Sequence, residues 1–293
     1  MRILRYSKFF FALSLILVFA SLISIAFFGL KPGIEFTGGS ILEVAYEQEP
    51  PSSESIRAQL SSLDVGLVSV QRVEKHGILL RMKDLTEERH QEVLLTFGAG
   101  AQEIRFETIG PVIGKELQSK ASILLILAVG AIVLYVMFAF RRIKQPVHSW
   151  QWSLATLAAL LHDVLIPLGV LAFLGEFYGV QITIPVVVAL LTVVGYSVND
   201  TVVVFDRVRE NLLKKVGADF EDILRQSLGQ TFTRSFNTSL TTLLAVLAIL
   251  FFGGGTLRDF ALTLAIGIAA GNWSSLFVAP PLLTVKGKFG LIS

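Results

Sequence analysis

The residues of this sequence with the most chemistry in them are ionisable side chains set inside long apolar runs. Asp200 lies in the run Ile182–Phe205, and Arg234 lies near the start of the run Phe232–Phe252. An ionisable group at the centre of a bilayer costs at least about 2.5–3.5 kcal/mol on insertion scales, so each one requires a reason. One reading is a carboxylate that takes and releases protons opposite a guanidinium. The other is a structural ion pair, or a helix-end arginine whose head reaches the lipid headgroups. Arg234, Thr238 and Thr241 recur at i, i+4 and i+7 and form one polar stripe, which Asn237 and Thr242 widen. Asn199 precedes the acid. His162 and Asp163 are adjacent in the run Trp152–Leu174. Neighbours on a helix point about 100° apart, so the two cannot both face one partner squarely. They read as members of a proton relay, or as polar contacts between helices worth about 0.6–2 kcal/mol.

Other chemistry is poorly represented. There is no cysteine, which excludes thiolate metal sites and thiol nucleophiles. No serine-hydrolase or zinc motif is present, so neither an enzyme nor a cofactor is expected. Asp163 and Asp200 on consecutive runs raise the idea of an intramembrane aspartyl protease. That chemistry needs two carboxylates sharing a proton, and these two lie at different depths.

Helices must hold these side chains. The chain has 293 residues, of which 53% are hydrophobic and 16% charged, against about 25% charged in soluble domains. A net charge of +2 is too small for a nucleic-acid binder. A bilayer core about 30 Å thick needs roughly 20 apolar residues in a helix. Six runs qualify: Phe9–Leu30, Ala121–Phe140, Trp152–Leu174, Ile182–Phe205, Phe232–Phe252 and Phe260–Leu283, the last with Pro280-Pro281 near its end. The first exceeds the roughly 7–15 apolar residues of a signal peptide and is expected to be retained. Basic residues cluster at the N-terminus (Arg2, Arg5, Lys8), after the second run (Arg141, Arg142, Lys144), after the fourth (Arg207, Arg209, Lys214, Lys215, Arg225) and in the tail (Lys286, Lys288). The loop Gly175–Gln181 has neither Lys nor Arg, and Gly253–Asp259 has only Arg258. The bias places both termini in the cytoplasm.

Residues 31–120 hold most of the acidic residues and alternate in character. Ile41–Tyr46 reads as a strand, and Ser52 or Ser53 caps a helix containing Ile56 and Leu60. Val65–Val73 and Ile78–Met82 read as strands around a turn at Lys75-His76-Gly77. Thr86 opens a helix with Val93, Leu94 and Phe97, and Ile104–Ile109 is a last strand. The order βαββαβ is ferredoxin-like. The expected organisation is therefore an N-terminus and first span (1–30), an extracytoplasmic α/β domain (31–120), spans two to four (121–205), a cytoplasmic amphipathic loop lying on the membrane surface (206–231), spans five and six (232–284) and a cytoplasmic tail (285–293). Gly267 and Gly271 have the spacing of a close helix approach, and Asn272, Ser274 and Ser275 follow them.

The run Gly195-Tyr196-Ser197-Val198-Asn199-Asp200-Thr201-Val202-Val203-Val204-Phe205-Asp206-Arg207-Val208-Arg209-Glu210-Asn211 resembles the signature of the SecD/SecF family on its SecF side. Gly33-Ile34-Glu35-Phe36-Thr37-Gly38-Gly39 resembles that family's motif beside the first span, with Glu35 where Asp is usual. Leu161-His162-Asp163, Thr233-Arg234 through Thr238-Ser239, Thr241-Thr242-Leu243-Leu244 and Ser274-Ser275 are similar to further family motifs, in order. The resemblance implies a subunit of the bacterial protein-export machinery in the cytoplasmic (inner) membrane. It would pair with SecD in an assembly of twelve spans related to resistance-nodulation-division (RND) transporters. It also implies association with the SecY-SecE-SecG channel and YidC, and use of the proton-motive force to complete polypeptide export after SecA has acted. By motif match, Asp200 and Arg234 are its proton-coupling positions. The alternative is half of an RND-type pump for small molecules or lipids.

Overall fold

The computed structural model describes residues 7–66, 68–73, 76–98, 100–143, 146–253 and 255–288. Arg2, Arg5, Lys75, Lys144, Gly254 and the tail beyond 288 lie outside them, as do the side chains of Lys8, Lys286 and Lys288. The elements in chain order are α1 (Ser7–Phe28), α2 (Ile34–Thr37), β1 (Gly39–Tyr46), α3 (Ser53–Leu60), β2 (Ser69–Val73), β3 (Gly77–Met82), α4 (Glu87–Phe97), β4 (Ala101–Ile109), α5 (Pro111–Ala139), α6 (Ser149–Tyr178), α7 (Ile184–Leu213), α8 (Phe220–Phe252), α9 (Gly255–Phe277) and α10 (Ala279–Lys288). Six stretches are long and apolar enough to cross a membrane: Phe9–Phe28, Pro111–Ala139, Ser149–Tyr178, Ile184–Leu213, Phe220–Phe252 and Leu257–Thr284. The chain forms two compact units, one of Lys31–Ile123 with Gln181–Ile184 and one of the remaining segments.

In the first unit the strands run in the order β2-β3-β1-β4, all antiparallel. This is the expected split βαβ arrangement. Leu42 and Val44 of β1 and Ile78, Leu80 and Met82 of β3 alternate onto one face, which Ile56, Leu60 and Val93 of α3 and α4 cover. Side-chain caps start both helices, Ser52 accepting from Ser55 N and Thr86 from Arg89 N. In the first turn of α4, the Gln91 amide and then His90 hold the Glu87 carboxyl below its ordinary range. The His90 ring stacks on Phe106 of β4 with centroids 3.7 Å apart. Strand β2 begins at Ser69 rather than Val65; Val65 is buried in the core, and its carbonyl accepts from Lys83 N at 3.0 Å just beyond β3.

The Gly38-Gly39 pair is where the chain turns from α2 into β1, at φ of 77° and 134°. A Cβ on Gly38 would lie 2.8 Å from Pro111 Cα, and one on Gly39 would lie 2.7 Å from the Met82 carbonyl. Close by, Pro32 pairs with Ile182, Gly33 N donates to Ile182 O at 2.7 Å, and Ile182 N donates to Lys31 O at 2.8 Å. The short loop between α6 and α7 thus belongs to the same unit as the sheet.

Several long helices depart from expectation at their ends. Helix α5 starts at Pro111, not Ala121. Its polar opening carries a Lys120–Glu116 ion pair at 2.7 Å, and Pro suits the first helical position. The segment 206–231 was expected as a separate surface helix and is instead the two ends of α7 and α8 around a short turn. Glu210 pairs with Arg207 and Lys214, both at 2.7 Å, and keeps α7 helical. Phe205 and Val208 then pack with Ile223, Leu224 and Leu228 of α8. Asn211 donates to Ser227 Oγ at 2.8 Å and to Gln230 Oε1 at 3.0 Å. The sixth span breaks between Phe277 and Ala279, with Pro280-Pro281 in the first turn of α10, where missing N–H groups cost nothing.

Replacing Gly38 by Ala puts a side chain on a backbone conformation that only glycine adopts freely, at a cost of about 1–3 kcal/mol. The variant is expected to expose the sheet unit to limited proteolysis at lower temperature. Gly110→Ala, whose Cβ would meet nothing within 4 Å, serves as the control and leaves that temperature unchanged.

Candidate functional site

The centre of the second unit is polar and almost fully buried. Asp163 on α6 is 0% exposed and Asp200 on α7 is 7% exposed. Three donors converge on Asp163. His162 Nδ1 lies 2.8 Å from Oδ1, Ser274 Oγ of α9 lies 2.7 Å from Oδ2, and Ser197 Oγ of α7 also donates to Oδ2. Asp200 Oδ2 accepts from Ser275 Oγ. Ser235 of α8 also lies beside this carboxylate. Consecutive serines of α9 therefore hold the two acids apart. No hydrogen bond joins the two carboxylates among the described residues.

Glycines allow this convergence. A Cβ on Gly267 would run into the Val193 side chain, and one on Gly271 would sit 3.2 Å from Ser197 Cβ and 3.6 Å from Asp163 Oδ2. Backbone approach of α9 to α7 brings short hydroxyl side chains within reach of the carboxylates. Gly169 lets α1 approach α6, where Ser24 Oγ donates to Gly169 O at 2.7 Å, and Trp273 Nε1 of α9 donates to Ser14 Oγ of α1 at 2.8 Å.

Each serine proton has a second place to go. Ser274 Oγ is 3.1 Å from Gly271 O, and Ser275 Oγ is 3.0 Å from Asn272 O. A hydroxyl that donates to an ionised carboxylate can therefore swing to its own helix and accept from a protonated one.

Arg234 lies within electrostatic reach of Asp200, but the two form no ion pair among the described residues. Arg234, Asn237, Thr238 and Thr241 are exposed on one face of α8, and Asn199 is exposed on α7. The threonines bond only to their own helix, Thr238 Oγ1 to Arg234 O at 2.9 Å and Thr241 Oγ1 to Asn237 O at 3.0 Å. These four residues of the stripe face outward, beside the buried acid, while Thr242 Oγ1 accepts from Tyr196 OH of α7 at 3.4 Å. His162 and Asp163 bond each other, although adjacent residues were expected to point apart; carboxylate and imidazole both bend toward the space between them. Ser197 and Ser235 are site residues that the sequence reading missed. Ser197 had a signal in its place, one helical turn before Asp200 on the buried face.

Of the motif beside the first span, Gly33, Ile34, Phe36 and Gly39 are buried, and Thr37 Oγ1 donates to Gly33 O at 3.1 Å. Glu35 folds back against Gly33, with Oε2 buried and without a hydrogen-bond partner among the described residues. The described residues contain no group of His, Cys, Asp and Glu able to hold a metal.

A family model described as protein export membrane protein SecD/SecF, C-terminal, matches residues 90–288, and one for the SecD/SecF GG motif matches residues 23–50. The protein translocase subunit SecF of Thermobaculum terrenum is 36% identical over 296 residues, covering 96% of this chain and 92% of its own. That of Pseudomonas aeruginosa is 38% identical over 279 residues, covering 93% and 87%. The crystal structure of SecDF, a translocon-associated membrane protein from Thermus thermophilus, matches with a TM-score of 0.87 at 32% identity over 98% of this chain. SecDF in its super-membrane-facing form matches with a TM-score of 0.68 at 33% identity over 97%. The chain spans 38% of either SecDF chain.

Gly271→Val drives a branched side chain toward Ser197 and Asp163. Overpacking of this kind costs about 1–3 kcal/mol. A lower thermal unfolding midpoint in detergent is expected, with Gly195→Ala, which would touch nothing within 4 Å, unchanged.

Proposed function

We propose, since this chain belongs to the SecD/SecF family of protein export membrane proteins, that it is the SecF-type partner of SecD and couples proton entry to late polypeptide export. The observation that carries this reading is Asp200, 7% exposed in a membrane span, held by Ser275, and adjoining a polar face of α8 that is exposed among the described residues and carries Arg234. A buried ionisable group in a span marks an ion path. SecD is the partner proposed for the exposed face of α8, so that Arg234, Asn237, Thr238 and Thr241 line an internal seam in the pair. The membrane is the bacterial inner membrane, with both termini and the α7–α8 turn on the cytoplasmic side, as the basic residues at that turn support. The chain has no catalytic role of its own. SecY-SecE-SecG and YidC are the proposed larger assembly, and the moving polypeptide is the cargo.

The cycle starts with Asp200 ionised and accepting from Ser275. A proton arriving on the carboxylate removes the charge. Ser275 then turns its hydroxyl proton to Asn272 O, 3.0 Å away. The attraction between Asp200 and Arg234 is lost, and α9 is released from α7 at this point. Return of the proton to the cytoplasmic side restores the contact. Each charge crossing 100 mV supplies about 2.3 kcal/mol. About three protons therefore suffice for the roughly 5.5 kcal/mol that a near-complete two-state switch requires.

Asp200→Asn keeps the shape and removes the titration. In membrane vesicles containing SecD and the channel, with insertion verified, the variant is expected to lose the proton-driven part of export. The part driven by SecA should be unchanged. Export that still responds fully to an imposed proton gradient refutes the reading.

A further inference from the structure

We propose that His162, held by Asp163, is a second proton-binding station in this bundle. The imidazole is buried, with 4% of its surface exposed. Its Nδ1 lies 2.8 Å from Asp163 Oδ1, and an ionised carboxylate only accepts, so the proton of the neutral ring sits on Nδ1. The hydrogen bond made by one ring nitrogen decides the state of the other. Nε2 is thereby left as a bare lone pair, and it is buried with no hydrogen-bond partner among the described residues. Two further donors, Ser197 and Ser274, keep Asp163 in place.

A proton added to Nε2 makes an imidazolium whose Nδ1–H still points at the Asp163 carboxylate. The His162–Asp163 pair then becomes net neutral, and no other group needs to change. The ionisable side chains facing this region are few. They are Asp163 on α6 and Asp200 on α7, with Arg234 of α8 within electrostatic reach of Asp200, while Phe9–Phe28 of α1 and Phe260–Phe277 of α9 contain none. Ser274 binds Asp163 and Ser275 binds Asp200, so one turn of α9 carries the news of either charge to the other. This last link, though not the station itself, rests on the reading of Asp200 as the proton carrier.

The experiment is nitrogen-15 NMR of the full chain, labelled at histidine and placed in phospholipid vesicles. The His162 signal is assigned by its loss in His162→Gln. Should that variant fail to insert, it is assigned as the signal that survives Gln replacement of His76 and His148 and quenching of His90 by His90→Phe. At the alkaline end of the range from about pH 8 to pH 5, the ring is expected to carry its proton on Nδ1 alone. At the acid end Nε2 gains a proton. In Asp163→Asn the two neutral tautomers are expected to mix, since the amide can donate as well as accept. A ring that stays neutral across the whole range, or that carries its proton on Nε2 at the alkaline end, overturns the proposal. The same titration in Asp200→Asn separates the two readings. Protonation of His162 there, in a variant that exports normally, removes Asp200 as carrier and leaves the second station standing. A silent His162 beside lost export does the reverse.

Discussion

Two carboxylates inside an apolar helix bundle must be given donors, and the serine pair Ser274-Ser275 of α9 supplies one to each. Most of the second unit can be read as the condition for that arrangement. A serine side chain is short, so the helices must nearly touch. Gly267 and Gly271 let α9 approach α7 that closely. Trp273, between the glycines and the serines' outer neighbours, bonds α1 and so fixes the rotation of α9 about its axis. The aromatic set Phe140, Trp152 and Phe205, with rings 4.9–6.1 Å apart, packs the end of the bundle near the α7–α8 turn and keeps α6 and α7 in register.

The two acids sit in different surroundings. Asp163 accepts from His162, Ser197 and Ser274 on three helices. Asp200 accepts from Ser275 and lies beside Ser235, within electrostatic reach of Arg234. Environment rather than residue type distinguishes them.

Much of this was legible in the sequence. Run lengths and basic loops are governed by bilayer thickness and hydration, which act locally, so the six spans could be read directly. The sheet unit was legible for the same reason, through alternation in Ile41–Tyr46 and Ile78–Met82 and caps at Ser52 and Thr86. Helix ends were not. The stretches opening α5 and joining α7 to α8 are polar, and polarity alone does not separate a surface loop from a helix that continues past the lipid. Tertiary contacts such as Asn211 with Ser227 decide that, and they join residues that local pattern cannot associate. The site was half legible. Charged residues in lipid announce themselves, whereas Ser197 and Ser235 are ordinary residues in a helix until the neighbouring carboxylate is known. The direction faced by Arg234 depends on helix rotation, which a stripe pattern leaves undetermined.

The outward polar face of α8 also bears on how much of this chain a cell can keep. Made alone, it would present a guanidinium, an amide and hydroxyls to acyl chains, a surface that lipid solvates badly and that membrane proteases and insertion chaperones are built to notice. Its steady-state abundance should therefore follow the supply of whatever covers that face, so that matched synthesis of the two halves becomes a requirement set by solvation rather than by regulation.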